Sequence, residues 1–314
     1  MLLKKNIPLS YIVGKVKVEL LLVAAYAGVV TFFYHKFNIS GWSVPLSIPM
    51  IMGIVISLLL AFRSNQAYDR WWEARTIWGS VVNDSRTFAR QVNTFISNQF
   101  TDSEVPGNEV YFFKEKLIKR QIAWCYALRN QLRNHESLLG AEKFLSRKDA
   151  LHLKNYNNTP MALLELHGYD LKQALSNGWI NQFQHVEMDE ALSRMCDEMG
   201  KCERIKNTVF PATYSVYIHF SLIVFFILMP FAMIEFISYL TVPAMVAIGA
   251  SFFLIEKMAV NLQDPFENRP TDTPMSSICF KIERDLKQMI NEEAHPVEIP
   301  VARKSKQKAV FYEL

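Results

Sequence analysis

VPLSIPMIMGIVISLLLAFRSNQAYDRWWEAR, residues 44–75, joins an apolar half to a half crowded with charge and tryptophan. No charged residue stands between Lys36 and Arg63, a run long enough to cross roughly 30 Å of hydrocarbon as a helix. Within it Leu46, Met50 and Ile54 recur every fourth residue. Four residues turn a helix by about 400°, so these side chains drift only slowly around one face. Past Arg63, the charges of Asp69, Arg70, Glu73 and Arg75 cannot stay in lipid. One element therefore couples a membrane span to a polar body.

The rest of the chain repeats that division. Of its 314 residues, 50% are hydrophobic, with a net charge of +4. The apolar residues fall in two blocks, one before Phe62 and one over 209–255, separated by a charged middle and followed by a charged tail. This pattern belongs to an integral membrane protein with a substantial aqueous domain. It divides the chain into 1–62, an N-terminal segment with spans one and two; 63–206, a helical cytosolic domain; 207–256, spans three and four; and 257–314, a post-membrane segment and tail. Lys and Arg are mixed with Asp and Glu rather than gathered on a stripe, and no zinc-finger spacing or aromatic RNA-binding motif occurs. Nucleic acid is not an expected partner. Cys125, Cys196, Cys202 and Cys279 all lie outside the spans and read as free thiols. The basic start lacks a small-residue cleavage site, so the first apolar block is read as a retained helix.

In chain order, 1–18 is a short basic entry and span one covers 19–33. A turn over 35–41 follows, with Tyr34 and Trp42 at headgroup level. Span two is 44–62, with Pro49 tolerated inside a membrane bundle. Lys and Arg crowd both flanks of this pair, while the turn holds only Lys36, so the N-terminus and the middle domain are placed in the cytoplasm. Apolar residues at helical spacing predict helices over 70–100 and 109–134, with a loop at Pro106-Gly107 between them. Asn158-Thr159-Pro160 reads as a cap and first turn of a helix that Asn177-Gly178 ends. A further helix covers 179–205. Span three is 209–233, Glu235 marks a tight hairpin, and span four is 236–255, which returns the tail to the cytoplasm. The basic run 303–308 reads as a tail. The expected fold is all-α, with four transmembrane helices.

Chemistry has few footholds. No G-x-S-x-G, H-E-x-x-H or phosphate-binding loop occurs, so no enzyme is expected. His185, Glu187, Asp189 and Glu190 lie close together, but at helical spacing Glu187 points away from His185 and Asp189. A solvated helix face is the preferred reading, and no metal site is assigned. His219, at membrane depth, should bond to a neighbouring helix. The stripe of Leu46, Met50 and Ile54 has two readings, packing against sister helices or the lining of an apolar pore that gates by dewetting. Periodicity alone favours packing.

SIPMIMGIVISLLLAFRSNQAYDRWWEAR, continued to Trp78-Gly79, resembles the second helix of the bestrophin family. LQDPFENRPTDTPM, residues 262–275, resembles that family's block after its last span. Asn83–Arg86 and Phe210-Pro211 fit the bacterial branch, and the elements fall in family order over nearly the whole chain. The resemblance implies a homopentameric ion channel in a bacterial inner membrane, with one central pore along the five-fold axis and contact with membrane lipid. It places the pore neck on Leu46, Met50 and Ile54, which shifts the balance from packing to pore. It also implies a cytosolic aperture on the helix before span three, at Phe183 or Ile180. The post-span segment, Asp264, Pro265, Phe266, Glu267 and Asn268, would wrap the neighbouring subunit and brace the neck.

This chain departs from the animal members in two ways. Arg269 puts a cation into the acidic run that there clasps calcium, and Pro270 removes a ligand, so no calcium clasp and no cofactor are expected. The neck has no aromatic ring edges to favour anions. A hydrophobic gate passing small monovalent ions, Na⁺ in preference to Cl⁻, is the leading expectation. A closed membrane scaffold with a cytosolic partner-binding domain is the alternative, and an enzyme built around His185 ranks third.

Overall fold

Two predicted helices, 44–62 and 70–100, are one. Residues Ser47–Phe95 form a single unbroken α-helix of 49 residues, about 74 Å at 1.5 Å per residue. Charge past Arg63 ends the apolar stretch but not the helix, because Glu, Arg and Ala propagate a helix well in water. Pro49 sits in its first turn, where the missing N–H has no helical acceptor to lose. Pro49 thus lies within the span, at its start, ahead of the hydrogen-bonded interior of the helix.

The computed structural model describes residues 14–37, 44–98, 107–208 and 212–292. The entry 1–13, the turn residues 38–43 with Trp42, Pro106, Phe210-Pro211 and the basic run 303–308 lie outside them. Among the described residues the structure is all helical, with no strand. The α-helices are α1 Lys17–Phe37, α2 Ser47–Phe95, α3 Gly107–Leu132, α4 Arg147–Leu153, α5 Thr159–Ser176, α6 Gln182–Asn207, α7 Ala212–Ile237, α8 Thr241–Leu262 and α9 Met275–Met289. Short 3-10 turns occupy Glu142–Phe144 and Ser238–Leu240. The turn between α7 and α8 falls at Ser238, whose φ is +49°, rather than at Glu235.

The helix ends follow local chemistry. Asn158 caps α5 by accepting from the Met161 N–H at 3.1 Å, with proline in the first turn. Gly178, at φ +67°, supplies the left-handed turn that ends it. Asn181 and Gln184 form a reciprocal capping box that starts α6.

The chain divides into two compact units. Of the described residues, one holds those of 14–71 and 212–264; the other holds those of 72–208 and 265–292. The first is apolar inside and out. Val23, Ala27, Ile56, Leu60, Ile218, Leu222, Phe225, Phe226 and Met245 form its core, while Leu21, Leu58, Phe62, Phe220 and Phe236 are among the large hydrophobics left exposed. Three stretches, Lys17–Phe37, Ser47–Phe95 and Thr213–Leu262, are long and apolar enough to cross a membrane, and the third contains both α7 and α8. An apolar exterior of this kind is stable in lipid and not in water. The chain is a membrane protein. Pro230 interrupts the hydrogen bonding of α7, and the Tyr26 hydroxyl donates to the nearby Ile227 carbonyl at 3.0 Å.

In the second unit α3 is the central helix. Nearly every residue over 117–128 is buried, including Trp124 and Leu128 at 0% exposure. Some of its buried polar groups are matched and others, among them Trp124 Nε1 and Gln121 Oε1, have no partner among the described residues. Arg120 reaches Asp170 at 2.5 Å and Asp149 at 3.1 Å, and Gln121 donates to Ser85 at 3.0 Å. The helix α9, absent from the sequence reading, packs on α3 through Ile282 and Leu286 and through Tyr126, which donates to Glu283 at 2.6 Å. Trp78 is fully buried as expected of a packing residue, whereas Trp72 is 56% exposed.

Candidate functional site

Among the described residues the stripe at the start of α2 lies outside the core of its unit. Leu46, Met50 and Ile54 are exposed, while Ile56 and Leu60 on other faces of the helix are in the core. The exposed face opens into a groove of about 640 Å³ lined along α2 by Pro49, Gly53, Ser57 and Ala61, and walled by Phe225, Met229 and Phe252. No charged side chain lines it. The one hydroxyl present, on Ser57, donates to the Gly53 carbonyl at 2.7 Å and is satisfied within its own helix. A water file along this surface would find no hydrogen-bonding partner, the condition under which narrow apolar passages dewet.

The lower part of the same unit is its opposite. Arg63 is 3% exposed, 4.0 Å from Glu256 and 3.4 Å from the Gln263 side-chain oxygen. Glu256 also lies 3.4 Å from Nδ1 of His219, the helix-to-helix partner that the histidine required. Arg70 donates to the Gln263 carbonyl at 3.0 Å. Both arginines are thus held by α8 and the residue after it, while Asp69 remains exposed. Glu256 was missed in the sequence. Its one signal is that it closes a long uncharged run.

The two aperture candidates part company. Ile180 is 2% exposed and belongs to the core of its unit. Phe183, in the first turn of α6, is 88% exposed. The capping box forces this difference, because Asn181 ends the buried approach and the helix then turns Phe183 outward.

Over 264–275 the chain closes on itself. The Thr273 N–H donates to the Pro265 carbonyl at 3.0 Å, and Asn268 takes φ +65° at the tip. The buried Asp272 carboxylate accepts the Arg269 N–H at 2.9 Å. Phe266 is fully buried, and Glu267 is paired with Lys206 at 2.5 Å. Glu267 of the expected bracing segment is therefore occupied by a lysine, and Asp272 beyond it by a backbone N–H. Among the described residues no group of three or more His, Cys, Asp or Glu could hold a metal ion.

Glu187, Asp189 and Glu190 are exposed, and Glu187 accepts from Gln91 at 3.3 Å. The cysteines are unpaired; burial pushes the thiol of Cys279 up to about 12 and raises those of Cys125 and Cys202 further.

The sequence model of the family described as Bacterial/Fungal Bestrophin protein matches residues 6–288. A voltage-dependent anion channel-forming protein of Nostoc sp. is 29% identical over 280 residues, 88% of this chain and 87% of that protein. The voltage-dependent anion channel-forming protein YneE of Escherichia coli is 28% identical over 288 residues, 92% of this chain and 91% of that one. Among solved structures, a bacterial bestrophin homologue from Klebsiella pneumoniae superposes with a TM-score of 0.78 at 25% identity, covering 90% of this chain and 100% of that one.

Proposed function

The chain belongs to the bacterial and fungal bestrophin family, and from that premise we propose that it is a passive ion channel of the bacterial inner membrane, with no enzymatic activity. Subunits with four transmembrane helices assemble as a homopentamer around one central pore, and both termini lie in the cytoplasm. Leu46, Met50 and Ile54 form the neck, and Phe183 forms the cytosolic aperture in preference to the buried Ile180. The observation that carries the reading is the exposed, uncharged stripe at the start of α2, which among the described residues lies outside the core of its unit. The names of the relatives, all channel-forming, support the same class.

On selectivity two readings compete. Arg63 and Arg70 are engaged by Glu256 and Gln263 while Asp69 is exposed, which leaves the acid to bias the cytoplasmic end toward small monovalent cations such as Na⁺. The names of the relatives say anion, and that is the observation for the second reading. Calcium activation is not part of the proposal, because Glu267 and Asp272 already hold Lys206 and the Arg269 N–H. The segment 264–268 serves as a brace.

The test is the reversal potential in a planar bilayer under a sodium chloride gradient, repeated with Met50→Ala/Ile54→Ala. A potential near that of sodium, with conductance raised in the double variant, supports a cation-selective neck. A potential near that of chloride establishes the anion reading. No current from folded protein moves the closed scaffold to first place.

A further inference from the structure

Beyond Ile54, α2 keeps one line of side chains turned away from the core of its own unit. Ile56, Leu60, Arg63 and Ala67 are at 3% exposure or less and mark the inward side of the helix. The opposite side carries Ile54 and Ala61, both on the groove, and then Asn65. From Ile54 to Asn65 the helix makes roughly three turns and about 20° more, advancing about 16 Å. Asn65 therefore repeats the direction of Ile54 nearer the charged end of the span. Both residues belong to the first unit and to one unbroken helix.

Asn65 changes the chemistry of that line. Every groove residue before it on α2 is apolar or, like Ser57, gives its hydroxyl to its own helix. Asn65 is exposed, and no group among the described residues bonds its carboxamide. The neighbouring positions are occupied otherwise. Ser64 keeps its hydroxyl oxygen buried, Phe62 leans on Tyr214 with ring centres 6.2 Å apart, and Arg63 is held by Glu256. Gln66 is exposed but lies about a third of a turn away from the line of Ile54. An ion that crosses an apolar constriction sheds water there and needs polar ligands where the constriction ends. A carboxamide supplies them for either sign, its oxygen to a cation and its NH2 to an anion. Asp69, exposed one turn further along the helix, attracts the NH2 side of the same amide and so favours presentation of the oxygen to the ion path.

We propose that Asn65 is the residue that receives the permeant ion at the foot of the neck, one carboxamide from each subunit forming the ring in which the sign of a small monovalent ion is selected. The inference rests on the channel reading above and adds to it the residue at which selection occurs. Leu46, Met50 and Ile54 supply a barrier with no preference for either sign, and Asn65 supplies the first contact that has one.

The experiment uses full-length protein in planar bilayers under a sodium chloride gradient. Asn65→Cys and Gln66→Cys are made in a Cys196→Ser background, the other three cysteines being buried. Each is treated with water-soluble thiol reagents of equal size and opposite charge, and labelling is confirmed by mass. At Asn65→Cys the cationic reagent should move the reversal potential toward that of chloride and the anionic reagent toward that of sodium. At Gln66→Cys neither should move it. Asn65→Leu should lower conductance roughly tenfold, the scale of one lost hydrogen bond to a charged group. Its melting temperature should stay unchanged, because the side chain is exposed. A reversal potential indifferent to both labels at Asn65→Cys, a thiol there that the reagents do not reach, or equal responses at Asn65→Cys and Gln66→Cys overturns the inference. Unchanged conductance in Asn65→Leu overturns it as well. If Met50→Ala/Ile54→Ala still raises conductance in the same preparation, the neck survives that failure. Absence of current from folded protein overturns this inference together with the channel reading.

Discussion

A ring carbon of Phe225 lies 3.3 Å from the position a Cβ on Gly53 would occupy. The glycine is what lets α7 press its aromatic face against α2 at the level of the Met50 and Ile54 stripe. Phe225 has little room to withdraw, since Phe226 and Phe252 pack around it with ring centres at 5.2 Å and 5.4 Å and it is 3% exposed.

Gly53→Ala should therefore act against its own helix propensity. Alanine gains roughly 1 kcal/mol over glycine within a helix, while overpacking a filled core costs about 1–3 kcal/mol. The expected result is a protein of equal or slightly lower melting temperature with altered conductance. A clear rise in melting temperature with unchanged conductance would show that Phe225 yields freely.

Phe183 offers the converse case. At 88% exposure its side chain contributes little to folding, so Phe183→Ala should change stability by no more than about 0.5 kcal/mol. If the residue narrows the ion path, flux per channel should nonetheless change several-fold. Unchanged flux in a stable Phe183→Ala protein would reject the aperture.

Arg120 is a structural test of the second unit. Buried at 2% exposure between Asp170 and Asp149, it cannot be removed without stranding charge. Arg120→Met should cost about 3 kcal/mol, lowering the melting temperature by roughly 6 to 12 °C. Adding Asp170→Leu should recover only a small part of the loss, because it removes one of the two acids while taking the carboxylate partner, at 2.9 Å, from Lys116. A single variant that melts like the natural protein would refute this account.

His167 gives an acid limb. It is fully buried, ring-edge to Phe88 at 4.9 Å, and burial, helped by Arg120 and Lys116, holds it well below its usual 6.5. The unfolded chain takes up a proton that the folded one refuses, so stability is present above 6.5 and falls as pH drops below it. The slope attributable to this group is about 1.4 kcal/mol per pH unit, and His167→Leu should remove it. Denaturant midpoints that fall equally in both proteins below that pH would exclude the histidine as the cause.

Most of the helices were legible in the sequence, because apolar periodicity and caps are local signals. Asn158, Gly178 and Pro160 mark their boundaries within a residue or two. The union of two predicted helices into α2 was less legible, since a change from lipid-facing to water-facing composition looks like an end while backbone propensity continues. The helix α9 was missed because its buried face, Ile278, Ile282 and Leu286, is a narrow stripe in a charged tail. The stripe of Leu46, Met50 and Ile54 could be read directly, but the groove walls Phe225 and Phe252 could not, for they come from helices distant in sequence.

The unbroken run of α2 fixes a phase. Within the second unit Ala74, Trp78 and Val81 must face the same core as Phe88 and Val92, with continuous helix and no loop between them to absorb an error. Each residue advances the helix by about 100°. Deleting or inserting one residue between Val81 and Phe88 would turn one set of anchors out of register with the other by that angle. The spacing of this stretch is thus constrained as a whole number, even where the side chains along it are free to change.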